Sequence, residues 1–264
     1  MNHVACDFSF SEEQVRALEI SLSPGRMQLY RKFASDDDKE ALKLYCWNNA
    51  LSQSLFWPLH GFEISLRNAM ADRICDRYGD DWYDQLASLK KSSSARNDEV
   101  EKVEKLKDSL IKAGETPGHD SIVAGISFGF WEGLLKPEYE LMLWKEAEMF
   151  SDLFPTSRDD AFRQVNQIKR LRNNVAHHEP IFVHWPSKQF RELYRDYKKI
   201  IKVTRWICPE TATWIEHHAT SEFFDSWNSA PAWLSARKQL TLKDIATESG
   251  AAESDNWFWQ ARIL

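Results

Sequence analysis

Apolar residues recur along this chain mostly at steps of three and four, which is the spacing of one buried face on an α-helix. Two such runs stand in the first third of the sequence: Leu44, Trp47, Leu51 and Leu55, then Phe62, Leu66, Met70 and Ile74. Gly79 follows the second run and predicts the end of its helix. Alternating patterns that predict strands are scarce. The chain is therefore predicted to be all-α.

Capping residues predict several helix ends. Ser23 followed by Pro24 is typical of a helix that begins there. Ser157, with an acidic residue three positions later, predicts the start of another. Pro180 disfavours helical geometry in the residue before it, so this second helix should end near His178.

The longest apolar stretch runs over 122–135 and contains Glu132. It is too short to span a bilayer, so we expect a buried helix. Gly125, Gly129 and Gly133 recur in it at every fourth position. Each costs about 1 kcal/mol relative to alanine inside a helix, which predicts close approach of a neighbouring helix or of a second copy of the chain.

Three parts are expected along the chain. Residues 1–20 form an N-terminal helical extension, 21–218 the main helical domain, and 219–264 a C-terminal tail. Within the tail, 246–256 is small and polar and predicts a flexible linker. The aromatic cluster at 257–259 is expected to fold back onto the core, because a free apolar tail invites aggregation.

Composition narrows the class of protein. The 264 residues carry a net charge of −6, which argues against a uniformly basic nucleic-acid binder. The 4 cysteines lie far apart without a CxxC pair, so neither a disulfide framework nor a zinc site is expected, and a reducing cytoplasm fits best. No signal peptide or membrane span is evident. We expect a cytoplasmic protein with no metal, no cofactor and no membrane partner.

Positive charge is concentrated in one part of the chain. Residues 158–205 contain twelve Lys or Arg against five Asp or Glu. Within a predicted amphipathic helix over about 188–207, five cations recur at steps of three and four: Arg191, Arg195, Lys198, Lys202 and Arg205. Such a stripe is often only a solvated face. Here it is interpreted as a track for RNA, with His178 as a further contact.

The segment Arg172–His177 combines a guanidinium, two amides and an imidazole at a predicted helix end. A group that binds phosphate and a group that moves a proton are the minimum for metal-free RNA cleavage. Arg172 and His177 lie about 140° apart around a helix axis, so two copies meeting across a two-fold axis would bring them together. The simpler alternative is a buried His177 that only caps the helix end.

Two other sets of polar residues could suggest a functional site, and each has a simpler explanation. His178 and Glu179 diverge too far on a helix to form a metal site with ordinary ligand spacing. Glu63 and Arg67 form either an i,i+4 ion pair or, with Asn68, part of a buried polar network near the motif. Glu63, Arg67 and Asn68 are not predicted to be catalytic.

Six segments stand in a characteristic order along the chain: Leu22–Arg26, Ala41–Asn48, Glu63–Asn68, Tyr78–Trp82, Val123–Trp131 and Leu171–Ile181. Together they resemble the Abi-like family of bacterial abortive-infection proteins, of the AbiD/AbiF type, over roughly 20–218. The segment Arg172–His177 itself resembles the Arg-x-x-x-x-His signature of HEPN domains, with Asn174 where the Abi-like family commonly has a second arginine.

This resemblance implies a HEPN-type helical bundle, usually a homodimer, with metal-independent endoribonuclease activity in phage defence or as a toxin. It implies that Arg172 and His177 are the catalytic pair, that Asn173 supports them, and that an RNA or protein antitoxin restrains the enzyme. In the implied reaction the ribose 2′-OH attacks the adjacent phosphorus.

Two other classes of function stay open at this point. A non-catalytic protein of the same fold would hold a structured small RNA on its basic stripe. A weaker alternative is a regulatory interaction module that binds no nucleic acid.

Overall fold

A computed structural model of the chain describes residues 9–89, 98–146, 148–182, 190–231 and 233–234, without the side chains of 87–89, 146 and 190–192. These residues form helices and no strand, which confirms the all-α prediction. The α-helices are α1 Glu12–Leu22, α2 Pro24–Phe33, α3 Asp38–Tyr78, α4 Asp98–Lys112, α5 His119–Gly125, α6 Phe128–Gly133, α7 Arg158–Ala176, α8 Phe190–Ile207 and α9 Pro209–Asn228. Trp82–Leu89 and Pro137–Tyr139 are 3₁₀ segments, and Glu140–Glu146 is a π-helical turn.

Both early apolar runs lie on one long helix, α3, whose 41 residues include Pro58. Proline removes one N–H from the helical ladder and normally kinks or ends a helix. Leu55 and Leu59 on either side of Pro58 are buried. Their packing offsets the lost hydrogen bond, so the helix continues to Tyr78, and Gly79 follows with the positive φ of 79° typical of a helix end.

The described residues divide into two compact units. The first contains 9–51, 190–191, 224–231 and 233–234, and so includes α1, α2 and the start of α3. Trp47 is fully buried there and donates its indole N–H to the carbonyl oxygen of Ser226 at 3.0 Å. Tyr30 is also fully buried, and its ring meets that of Tyr45 edge-on at 5.2 Å.

The second unit contains 52–182 and 192–223, apart from the residues outside the description. Its core is strongly aromatic, with Trp82, Phe130 and Trp131 packed together. α6 joins α7 through an ion pair between Glu132 and Lys169, with 2.7 Å between Oε2 and Nζ.

The single helix predicted over 122–135 is wrong, because the chain forms α5 and α6 with a break between them. Ser127 is extended, with φ −71° and ψ 155°. The apolar spacing continues across the break because both short helices bury their apolar side chains. The predicted close approach holds at two of the glycines. A Cβ on Gly125 would meet Leu106, and one on Gly133 would meet Glu99, both closer than 3.0 Å.

The predicted helix starts at Ser23 and Ser157 are confirmed. Each hydroxyl accepts a backbone N–H three residues on, from Arg26 at 3.3 Å and from Asp160 at 3.2 Å. The end of α7 at Ala176 agrees with the position predicted from the following proline.

Other expectations stay predictions. The linker at 246–256 and the aromatic cluster at 257–259 lie outside the described residues. The division into 1–20, 21–218 and 219–264 is untested, and the compact units are discontinuous in sequence. Among the described helices, none combines the length and apolar character needed to cross a membrane.

Candidate functional site

The motif lies where α7 ends and the chain turns away. His177 caps the helix, and its backbone N–H bonds to the carbonyl oxygen of Asn173 at 2.8 Å. His178 takes a left-handed conformation with φ 56°. Its N–H reaches the carbonyl of Val175 at 3.2 Å, and the N–H of Glu179 reaches that of Asn174 at 2.8 Å. This pair of bonds is a Schellman motif, which fixes the turn that carries His177.

The side chain of Asn174 adds a second tie to this turn. In the amide orientation that gives both its oxygen and its nitrogen suitable neighbours, the nitrogen donates to the carbonyl oxygen of Arg170 at 3.1 Å and to Oε2 of Glu179 at 3.2 Å. The side chain of Asn174 therefore braces the turn next to His177.

Arg172 is oriented by an acid from another helix. Its Nε donates to Oε2 of Glu63 on α3 at 2.9 Å, and its Nη2 to Oε1 of the same carboxylate at 3.4 Å. Its Nη1 lies 3.5 Å from Oδ1 of Asn173. The side chain of Arg172 is 39% exposed and that of Glu63 is 19% exposed. One edge of the guanidinium is thus occupied, and N–H groups on the other edge can reach an anion.

The predicted i,i+4 ion pair between Glu63 and Arg67 is wrong. Glu63 pairs with Arg172 instead, and Arg67 donates to Oδ1 of Asn68 at 3.4 Å and to the carbonyl oxygen of Ala124 at 3.4 Å. The alternative, a buried polar network near the motif, holds only in part, because Glu63 contacts Arg172 but Asn68 is exposed. The sequence shows that Glu63 and Arg172 have opposite charges. Because 109 positions separate them, no local pattern predicts that they pair.

His177 is exposed, and no hydrogen bond joins its imidazole to Arg172 within the described structure. One chain by itself thus presents the guanidinium and the imidazole separately, as their spacing predicts.

An exposed aromatic surface, unpredicted from the sequence, lies toward the same end of α7. α7 runs antiparallel to this part of α3, because Asp152, before α7, comes within 4.0 Å of Arg73, ten positions beyond Glu63. The end of α7 therefore points toward the earlier turns of α3. The surface consists of Phe56, Trp57, His60, Trp214, His217 and His218. Phe56 is 64% and Trp214 53% exposed.

The basic stripe lies on the exposed side of α8, as its spacing predicts. Arg195, Lys198, Lys202 and Arg205 are all exposed, and the side chain of Arg191 is outside the description. Two of these cations already have local contacts. Arg205 pairs with Glu216 of α9, and Lys202 lies 5.1 Å from the ring centre of Trp206. Arg195 and Lys198 are the better placed to meet phosphate.

A cleft of about 300 Å³ opens beside α3 and α5, and its polar lining includes Arg67, Asn68, Asp72 and His119. Within the described parts of the chain, His178 and Glu179 belong to no cluster with metal-ligand geometry. One such cluster, of Cys75, Asp80 and His119, lies at the far end of α3.

A family model that describes Abi-like proteins matches residues 26–183. No curated protein and no solved structure matches the chain. The matched region is more than half of the 264 residues and contains Glu63, Arg172 and His177. The chain therefore belongs to the Abi-like protein family.

Proposed function

We propose that this protein is a cytoplasmic, metal-independent endoribonuclease of the HEPN kind, acting in abortive infection or as a toxin. Membership of the Abi-like family supports a role in phage defence. The observation that carries the chemistry is the ion pair that orients Arg172 from α3 while leaving part of its guanidinium accessible. The exposed imidazole of His177, on the turn that ends the same helix, supplies the second group.

The reaction would follow from these two groups. A ribose 2′-oxygen bonds to the adjacent phosphorus while the bond from phosphorus to the 5′-oxygen breaks. The 2′-hydroxyl gives up its proton and the leaving 5′-oxygen gains one, and an imidazole can mediate either transfer. Arg172 stabilises the phosphorane through paired N–H groups, with Asn173 supporting it. The products are a 2′,3′-cyclic phosphate and a 5′-hydroxyl.

A homodimer would complete the site. One chain offers a single His177, whereas the reaction needs both a base and an acid. Two chains related by a two-fold axis would present two imidazoles and two guanidinium groups to one phosphodiester. The exposed aromatic surface toward the end of α7, with Phe56 and Trp214 largely exposed among histidines, is a face that a second copy would cover.

RNA would be held partly by the basic stripe on α8. Arg195, Lys198, Lys202 and Arg205 are exposed there, and His178 lies beside the catalytic turn. Phosphate contacts of this kind make affinity fall with salt for any RNA sequence. The same observation favours a second candidate function, a non-catalytic protein that holds a structured small RNA. A bound RNA or protein antitoxin would restrain the nuclease.

The test is cleavage of total RNA by purified protein in EDTA, at a temperature where the chelated protein stays folded. Wild type should produce fragments, and Arg172→Ala and His177→Ala should not. Arg163→Ala is the matched control, since it removes an exposed arginine from the same helix, away from the motif, and should cleave as wild type does. RNA binding without fragments would support the non-catalytic alternative. Absence of any RNA binding would support the regulatory interaction module.

A further inference from the structure

We propose that Cys75, Asp80 and His119 form a binding site for one divalent zinc ion. One ligand atom from each residue lies within 4.8 Å of the other two. The closest pair is Sγ of Cys75 and Oδ1 of Asp80, at 3.2 Å. This site lies outside the nuclease motif and does not depend on the proposed cleavage reaction.

The spacing of the three atoms suits a tetrahedral ion. Zinc binds sulfur at about 2.3 Å and imidazole nitrogen or carboxylate oxygen at about 2.0–2.2 Å, so its ligand atoms stand roughly 3.4–3.6 Å apart. The atoms of the cluster lie within 4.8 Å of one another, so each pair needs to close by little more than about 1 Å to reach this spacing. A thiolate and an imidazole together select zinc over magnesium or calcium, which prefer oxygen. Three protein ligands leave a fourth position for water.

The charges around Cys75 favour a cation. The thiol donates to Asp80, and Asp80, Asp76 and Asp72 raise the pKa of Cys75 to about 11. A bound zinc ion would neutralise part of the negative charge of these three carboxylates.

Zinc binding would change the hydrogen bond that His119 makes with Trp82. Its Nδ1 accepts a hydrogen bond from Nε1 of Trp82 at 3.1 Å, and Trp82 is fully buried. A neutral imidazole that accepts at Nδ1 carries its proton on Nε2. Zinc bound at Nδ1 would take the place of the indole N–H. Zinc bound at Nε2 would leave the ring proton on Nδ1, which could then no longer accept from Trp82. The indole N–H of Trp82 is consequently a local reporter of occupancy.

The site would act as a clamp rather than as part of the reaction centre. Cys75 lies in the last turn of α3, Asp80 in the turn after it, and His119 at the start of α5. The ion would tie the end of α3 to a helix 44 positions later in the chain. Glu63 is twelve residues back along α3, roughly 18 Å at 1.5 Å per residue, so metal-independent cleavage near Arg172 is compatible with this site.

The sequence predicted no zinc site because its cysteines form no CxxC pair. Here the ligands come from a helix end, a turn and a distant helix start, and only folding brings them together. No short spacing motif contains all three.

The experiment is a zinc titration of tag-free, metal-stripped protein, followed by calorimetry and by the indole N–H signal of Trp82 in NMR spectra. We expect one zinc per chain and a shift of that signal. Cys75→Ser and His119→Gln should each weaken binding about a hundredfold or more. Cys208→Ser and His60→Gln, which change the same residue types elsewhere, should bind zinc as wild type does.

Cobalt substitution gives a test that needs no variant. Co²⁺ in this site should show a thiolate-to-metal charge-transfer band in the near ultraviolet. Lack of that band, failure to bind zinc at micromolar concentration, or unchanged binding in Cys75→Ser would each overturn the proposal.

Discussion

Arg172 and Glu63 form a two-point ion pair between α7 and α3, with 2.9 Å from Nε to Oε2 and 3.4 Å from Nη2 to Oε1. The pair fixes the plane of the guanidinium from a helix other than its own. A flexible arginine held in this way loses less conformational entropy when it binds phosphate. Glu63 is therefore a positioning residue for Arg172.

Glu63→Gln should slow cleavage by about tenfold or more, because the guanidinium loses its charged anchor and drifts from the phosphate. The free energy of unfolding should change by less than about 1 kcal/mol, since both side chains are partly exposed. Single-turnover cleavage and urea unfolding measure the two effects. Glu140→Gln, which breaks the ion pair with Arg158, is the control expected to retain cleavage. Cleavage by Glu63→Gln at or above the wild-type rate would mean that Glu63 does not position Arg172 for catalysis.

Mixed dimers test whether two chains share one cleft. When wild type and His177→Ala are unfolded and refolded together in equal amounts, only wild-type pairs keep both imidazoles. The cleavage rate should then fall to roughly a quarter of that of the same total amount of wild type, as random pairing into two-fold dimers requires. Proteins mixed without refolding provide the control. A rate of one half after refolding would show that each chain acts alone.

Gly133 and Gly129 should respond to alanine in opposite directions. A Cβ on Gly133 would collide with the buried carboxylate of Glu99, whereas one on Gly129 meets only Oγ of Ser127 at 3.9 Å. We expect Gly133→Ala to lower the free energy of unfolding by about 1–3 kcal/mol. Gly129→Ala should raise it by about 0.5–1 kcal/mol, through helix propensity and a less flexible unfolded chain. Urea unfolding measures both, and equal effects would contradict this account of the packing of α4 on α6.

Glu99 should make stability depend on pH. Burial acts to raise its pKa, but the charge and hydrogen bond of Lys136, with Lys102 nearby, lower the pKa below its ordinary value. The stabilisation is therefore present above the unfolded pKa of about 4.3 and is lost as pH falls through the folded value. Glu99→Gln should cost about 1–3 kcal/mol at pH 7 and progressively less below about pH 4. The exposed Glu101→Gln is the control, and a cost for Glu99→Gln that does not vary with pH would contradict the prediction.

The elements of this fold follow from local sequence more closely than the site does. Ser23, Ser157 and Pro180 act on backbone groups within a few residues, so the ends that they predict agree with the structure. The break at Ser127 was missed because the apolar spacing carries across it. The Glu63–Arg172 pair and the cluster at Cys75 depend on contacts between distant segments, which periodicity does not encode.

The most direct test of the central claim uses a defined oligonucleotide that wild-type protein cuts, and the same oligonucleotide with a 2′-deoxy sugar at the cut position, both in EDTA. We predict cleavage of the first, with a 2′,3′-cyclic phosphate on the upstream product, and none of the second. Equal cutting of the two, or products that end in a 3′-hydroxyl, would contradict 2′-OH attack by a site built on Arg172 and His177.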